Sequence, residues 1–334
     1  MRAARMRVST REFALTEMEI PNPNRRQVLI KVMAAGLCLS DVHFLSGMLS
    51  PGYLKGDVVT LGHEVSGVIE KLGEDVHDWS VGDRVIICAG SRDEQNRITT
   101  LGFDYDGGFA EFTIADSETL VGIPDNLSFE EACIIPDAVS TPWAAITKTA
   151  KVIGGESAAV FGVGGLGIHA IQLLCVIGAS PIIAIDPLAQ ARQRALKVGA
   201  DIVLDPIDPD FLAKLCEATN GLGLNVAFDF AGSGTARNQG LRSLGEGGRL
   251  VIVGLANESI HIPNDIAFAY KHSQVLGHYG SDPIHTKEMV ELVRQGRLDL
   301  SGSISEIISL ENIEEAFRRL ENKIGNPIRI VIQP

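Results

Sequence analysis

Up to residue 140 the apolar positions fall in short runs, with few stretches that recur at the three- and four-residue spacing of a helix. Residues 28–33 (VLIKVM), 65–69 (VSGVI) and 84–88 (RVIIC) read as strands. The turn sequences PNPN, LGED and VGD bound them. This half is predicted to be mostly or wholly β. From residue 149 the pattern changes. Residues 157–161 (SAAVF) predict a strand, and apolar positions 166, 170, 173, 174 and 177 line one face of a helix over 166–177. Strands at 181–185, 201–204, 226–230 and 249–253 alternate with helices at 189–198, 211–219 and 235–244. After residue 277 come helices at 287–296 and 311–322, then a strand at 329–332 able to pair back into the first half. No repeat or low-complexity segment interrupts the chain.

Alternating strand and helix with short connections implies a parallel, doubly wound sheet with helices on both faces, so the fold class is α/β with a β-rich partner. The length of 334 residues accommodates two cores, and a chain 45% hydrophobic and 21% charged is that of a globular protein. A net charge of −13 argues against general affinity for nucleic acid or anionic lipid. No apolar run reaches membrane-span length, and the opening MRAARMRVSTREFAL lacks a signal-peptide core, so a cytoplasmic location is expected. The five cysteines include no CxxC pair, which disfavours a disulfide framework or a zinc ribbon. Cys88, Cys133, Cys175 and Cys216 sit in apolar surroundings; Cys38, in GLCLSDVHFLSG, has neighbours that can do chemistry.

AVFGVGGLGIHA places Gly162, Gly164 and Gly167 in a GxGxxG between a strand and a helix, with Gly165 in the same turn. There the glycines allow a tight turn, close backbone approach to a pyrophosphate and close helix–strand packing, and the helix N-terminus offers free N–H groups. Asp186 ends the next strand, 24 positions after Gly162, where a carboxylate accepts from the adenosine ribose hydroxyls and repels a 2′-phosphate. The next arginine is Arg192, so NAD(H) is expected rather than NADP(H).

His63 lies in TLGHEVSGVIEKLGEDV. Taken alone it fits a core histidine as well as a metal ligand. Two other clusters change the picture: Cys38 with Ser40, Asp41 and His43, and Asp137 in CIIPDAVSTPWAAI. Catalytic zinc takes three protein ligands and keeps a fourth position open. Cys38 thiolate, neutral His63 and Asp137 carboxylate would balance its charge in a dry pocket.

The sequences GLCLSDVH, LGHEVSGVIEKLG, PDAVSTPWAA and VFGVGGLG, in that order, resemble the zinc-dependent medium-chain alcohol dehydrogenases along essentially the whole chain. The resemblance implies a GroES-like catalytic domain from residues 1–138 and 277–334, with a Rossmann domain at 139–276. It implies Cys38, His63 and Asp137 as zinc ligands, Asp137 standing where many members have cysteine and some bacterial secondary-alcohol members have aspartate. Glu64 matches a glutamate beside the zinc, and Asp41 the carboxylate that orients the zinc histidine. Ser40 and His43, two and five positions after Cys38, match a proton relay that runs through the nicotinamide ribose to the surface. Arg329 matches an arginine that serves the cofactor pyrophosphate.

The pattern also departs from the family. Many relatives hold a second, structural zinc with four close cysteines; residues 89–108 contain none, so one zinc and no structural zinc are expected. Phe44, Tyr53, Trp143 and Tyr279 match pocket positions. They suggest a small-molecule substrate, a secondary or aromatic alcohol or its ketone. Residues 249–277 resemble the family's subunit edge, which implies a homodimer or homotetramer. Alternatives on the same scaffold are a reductase of an activated C=C or C=N bond, or a nucleotide-binding relative without catalysis. The presence of Cys38, His63, Ser40 and His43 disfavours both.

Overall fold

In the computed structural model, which describes residues 1–93, 95–262 and 264–334, the strand Gln27–Leu37 organises the first β-rich sheet. It pairs antiparallel with Glu64–Leu72, with Phe112–Asp116 and with the C-terminal strand Arg329–Gln333. The full sheet runs Leu120–Gly122, Arg84–Ile87, Glu64–Leu72, Gln27–Leu37, Arg329–Gln333, Ile304–Ser309. The C-terminal strand therefore does pair back into the first half, with Ile330 opposite Leu37 and Ile332 opposite Ala35. Met1–Ser140 with Gly280–Pro334 form one compact unit and Thr141–Tyr279 the other.

Strand Gln27–Leu37 outruns its sequence signal, which stopped at residue 33. Ala34, Ala35 and Gly36 have weak strand propensity, but their burial and cross-strand partners decide the conformation. Its inward side chains Val28, Ile30 and Val32 join Val65, Ile69, Ile330 and Ile332 in one buried core. Burial of each such side chain contributes about 1.5–3 kcal/mol. The helix Leu39–Ser46, too short to show a period in the sequence, follows at once and ends at Gly47 with φ of 84°. A separate sheet joins Glu12–Glu17, Arg2–Arg7 and Val58–Thr60.

The second unit holds a six-stranded, wholly parallel sheet. Its order is Ile202–Leu204, Ile182–Ile185, Ala158–Phe161, Leu224–Asp229, Leu244–Ile252, Gln274–Gly277. In chain order that is 3-2-1-4-5-6, the doubly wound dinucleotide fold. Strands Ala158–Phe161 and Ile182–Ile185 are buried at every position, which is why they read as continuous apolar runs. Helices Gly167–Ile177, Ala189–Lys197, Phe211–Ala218 and Gly234–Ser243 connect the strands. Among the described residues no helix is long and apolar enough to cross a membrane.

Candidate metal centre and cofactor site

Cys38 caps the N-terminus of the helix Leu39–Ser46. Asp41, in the first turn, accepts the Cys38 N–H through Oδ2 at 3.0 Å and faces His63 Nδ1 through Oδ1 at 3.2 Å. One carboxylate thus fixes the helix start and aims the imidazole. Asp41 and Phe44 share the buried face of the helix, while Ser40 and His43, also three apart, lie on a partly exposed one.

His63 precedes the strand Glu64–Leu72, so the chain delivers His63 and Glu64 side by side at a strand end. Glu64 sits opposite Gly36 in the sheet, and a Cβ on Gly36 would collide with the Glu64 carboxylate. Gly36 is required by that close approach. Asp137 comes from a π-helical turn, Ile135–Val139, a widened backbone often found at functional positions. The next residue's N–H, that of Ala138, donates to Glu64 Oε1 at 3.1 Å.

These elements bring one atom each of Cys38, His63, Glu64 and Asp137 within 4.8 Å of one another. Cys38 Sγ lies 3.3 Å and His63 Nε2 3.4 Å from Asp137 Oδ2. Among the described residues, Cys38, Glu64 and Asp137 face the Arg329 guanidinium, and Asp41 and Asp137 face the His63 imidazole. Burial alone would lower the His63 pKa, but Asp41, then hydrogen bonds from Asp137, Asp41 and Cys38, raise it well above its usual value. Burial is the largest influence on Glu64 and raises its carboxyl to about 7; Arg329 opposes the rise and Asp137 adds to it. A buried acidic surplus around a thiol, an imidazole and carboxylates fits a divalent cation of borderline softness, and zinc above all.

Ser40 Oγ lies 3.6 Å from Cys38 Sγ. His43 Nδ1 is buried without a hydrogen-bond partner among the described residues, and burial lowers the ring's pKa. The structure changes the picture for two other residues. Arg329, expected at the pyrophosphate, is buried in the metal cluster. Its Nε donates to Glu64 Oε2 at 3.1 Å, Nη2 pairs with Glu64 Oε1, and Nη2 lies 3.5 Å from Asp137 Oδ2. Phe44, expected as a pocket wall, is a core residue whose ring stacks on Phe103 at 4.7 Å. Tyr53 is exposed beneath the Arg97 guanidinium, Trp143 is half-buried, and Tyr279 is exposed.

In the second unit, the glycines of the turn 162–167 differ in their surroundings. Gly162 has φ of 87°, and a Cβ there would lie 2.7 Å from Ala231 N. One on Gly167 would strike the Gly162 carbonyl, whereas one on Gly164 would meet nothing within 4 Å, leaving open backbone for a phosphate. Asp186 folds over this turn: Oδ2 accepts from Val163 N at 2.9 Å and Oδ1 from Leu188 N at 2.8 Å. Arg192 pairs with Asp205 at 3.1 Å and donates to the Asp186 carbonyl at 2.6 Å.

A dinucleotide sheet, together with a β-rich unit carrying a buried cysteine–histidine–carboxylate cluster, defines a metal- and nucleotide-dependent dehydrogenase. Residues 24–125 match the family model of the alcohol dehydrogenase GroES-like domain, and residues 165–295 that of the zinc-binding dehydrogenase domain. The chain is 31% identical to (R,R)-butanediol dehydrogenase of Bacillus subtilis (strain 168), covering 100% of both chains. It is 32% identical to an alcohol dehydrogenase of Geobacillus stearothermophilus, over 96% of each. The crystal structure of 2R,3R-butanediol dehydrogenase from Bacillus subtilis superposes with a TM-score of 0.89 at 29% identity, covering 100% of this chain and 99% of the other. The chain belongs to the zinc-dependent medium-chain alcohol dehydrogenases, and is an NAD-dependent oxidoreductase of alcohol and ketone or aldehyde pairs.

Proposed function

We propose that Cys38, His63 and Asp137 hold a single zinc ion, and that the chain oxidises a secondary alcohol, or reduces its ketone, with NAD(H). The observation that carries this reading is the convergence of those three donors with Glu64 in one buried cluster. Zinc bound there supplies Lewis acidity that makes an alcohol hydroxyl easier to deprotonate, and NAD supplies the hydride acceptor. Asp41 keeps His63 aimed at the site. Ser40 takes the hydroxyl proton, and His43, neutral because burial lowers its pKa, passes it toward solvent. Glu64, steadied by Arg329, lies beside the ligands as an adjustable carboxylate. The turn 162–167 receives the pyrophosphate, and Asp186 receives the adenosine ribose.

A second zinc is not needed for the segment 89–108. Among the described residues, Asp93 Oδ1 accepts from Gln95 and Arg97 N–H groups at 3.0 and 2.9 Å. Asp104 accepts from Tyr53 N at 2.7 Å and Thr100 N at 2.9 Å. These bonds do what a metal clip does elsewhere. The preference for a secondary alcohol is supported by the butanediol relative, whose (R,R) stereochemistry requires carbinol carbons bearing two carbon substituents. The edge strand Gln274–Gly277, beside exposed Ile266 and Tyr270, supports a homodimer or homotetramer. Five free thiols suit the reducing cytoplasm.

A panel of alcohols and ketones assayed with NAD(H) and NADP(H), with zinc measured before and after chelation, tests the reading. It expects a single zinc per chain, activity lost with the metal and regained on adding it, and secondary alcohols preferred. Activity that persists without zinc would overturn it.

A further inference from the structure

The order of the parallel sheet reverses between the strands Ala158–Phe161 and Leu224–Asp229, and such sheets bind ligand in the crevice beyond the strand ends at that point. The glycine turn 162–167 lines one side. The loop after Asp229 lines the other, and its construction is unusual: a fully buried carboxylate ends the strand. Asp229 Oδ1 accepts from Gly232 N at 2.9 Å, and Oδ2 accepts from Arg237 Nε at 2.8 Å. Arg237, on the helix Gly234–Ser243, is itself buried and donates through Nη2 to the Gly254 carbonyl at 3.0 Å.

The pair therefore ties together the loops that leave two adjacent strands. Backbone bonds complete the block: Val253 N and Gly254 N donate to the Asp229 carbonyl at 3.0 and 2.7 Å, and Phe230 N to the Phe161 carbonyl at 2.9 Å. Gly232 has φ of 63°, and a Cβ there would lie 2.5 Å from the Leu255 carbonyl oxygen. Ala231 in turn abuts Gly162, as the 2.7 Å approach of a Gly162 Cβ to its nitrogen shows. Doubly wound dinucleotide sheets consist of two mononucleotide-binding halves. Asp186 belongs to the half that takes adenosine, so the half led by Leu224–Asp229 faces the nicotinamide nucleotide.

We propose that Asp229 and Arg237 form a positioning pair that fixes the nicotinamide-side wall of the crevice, so that they govern how the reactive half of the cofactor is held and not the adenosine half. This rests on the assignment of the turn 162–167 and Asp186 to NAD. Neither residue touches substrate; both act through the loops they tie.

The test is the affinity of the intact protein for NADH and for AMP, which reports the adenosine half alone. Arg237→Lys keeps the positive charge beside Asp229 but cannot also hold the Gly254 carbonyl. Gly232→Ala displaces the same wall while leaving both side chains of the ion pair in place. Both variants are expected to bind NADH about tenfold more weakly. AMP affinity should stay within about twofold of wild type. A pair that served only to hold the fold would weaken both ligands together. Parallel losses, or no change in either, would overturn the positioning role while leaving the cofactor assignment intact. A wild-type protein that binds no NADH would overturn both.

Discussion

Arg329 and Glu64, 265 positions apart in sequence, form a buried ion pair in which Arg329 Nε donates to Glu64 Oε2 at 3.1 Å. The pair joins the C-terminal strand to the glutamate beside His63. Truncating one partner leaves a buried charge uncompensated, at a cost of about 3–5 kcal/mol. Arg329→Ala is expected to lose stability on that order, with Arg329→Lys losing less. Denaturant unfolding of the two variants checks this. A wild-type midpoint for Arg329→Ala would exclude a structural role for the pair.

Asp137 is the unusual donor in the proposed zinc site. Asp137→Ala should lose most of its zinc, whereas Asp137→Cys, which replaces one singly negative ligand with another, should retain it. Elemental analysis of the purified variants decides the matter. Full zinc content in Asp137→Ala would point to Glu64 as the third ligand.

His43 is the outer end of the proposed proton path. Because burial lowers its pKa, the ring stays neutral and basic at pH 7. His43→Ala should slow alcohol oxidation by about 10²-fold near neutral pH. The deficit should narrow as the pH rises and free hydroxide takes over, and added imidazole should restore part of the rate. An unchanged rate at pH 7 would remove His43 from the path.

Asp186 presents its carboxylate on the turn 162–167, proposed to receive the pyrophosphate, and Arg192 is engaged by Asp205 at 3.1 Å. Asp186→Ser should raise kcat/KM for NADP relative to NAD by about tenfold or more, through loss of repulsion and of the ribose hydrogen bonds. Equal use of both cofactors by the wild-type protein would contradict the role given to Asp186.

The parallel sheet was legible because its strands Ala158–Phe161 and Ile182–Ile185 are buried on both faces and carry no alternation to confuse them with amphipathic helices. Cys38, His63 and Asp137, which the fold brings together with Glu64, stood out in the sequence as residues of metal-ligand type and by resemblance to the family. The pairing of Arg329 with Glu64 was not legible because it is set by strand pairing across the whole chain, not by neighbouring residues. Phe44 was misplaced because one helix turn separates functional and core faces: His43 is half-exposed while Phe44, the next residue, is fully buried. Asp229 had a sequence signal, a lone carboxylate within VAFDF, but nothing there named Arg237 as the residue that compensates it.

The return of Arg329–Gln333 to the sheet also sets the order of assembly on the ribosome. Thr141–Tyr279 contains all six strands of its own sheet and can fold while the rest is still being synthesised. The sheet that carries Glu64 is completed only when residues 329–333 emerge, after every other strand of that sheet. A nascent chain stalled before them would hold a finished nucleotide fold while Glu64 and Asp137 still lacked Arg329.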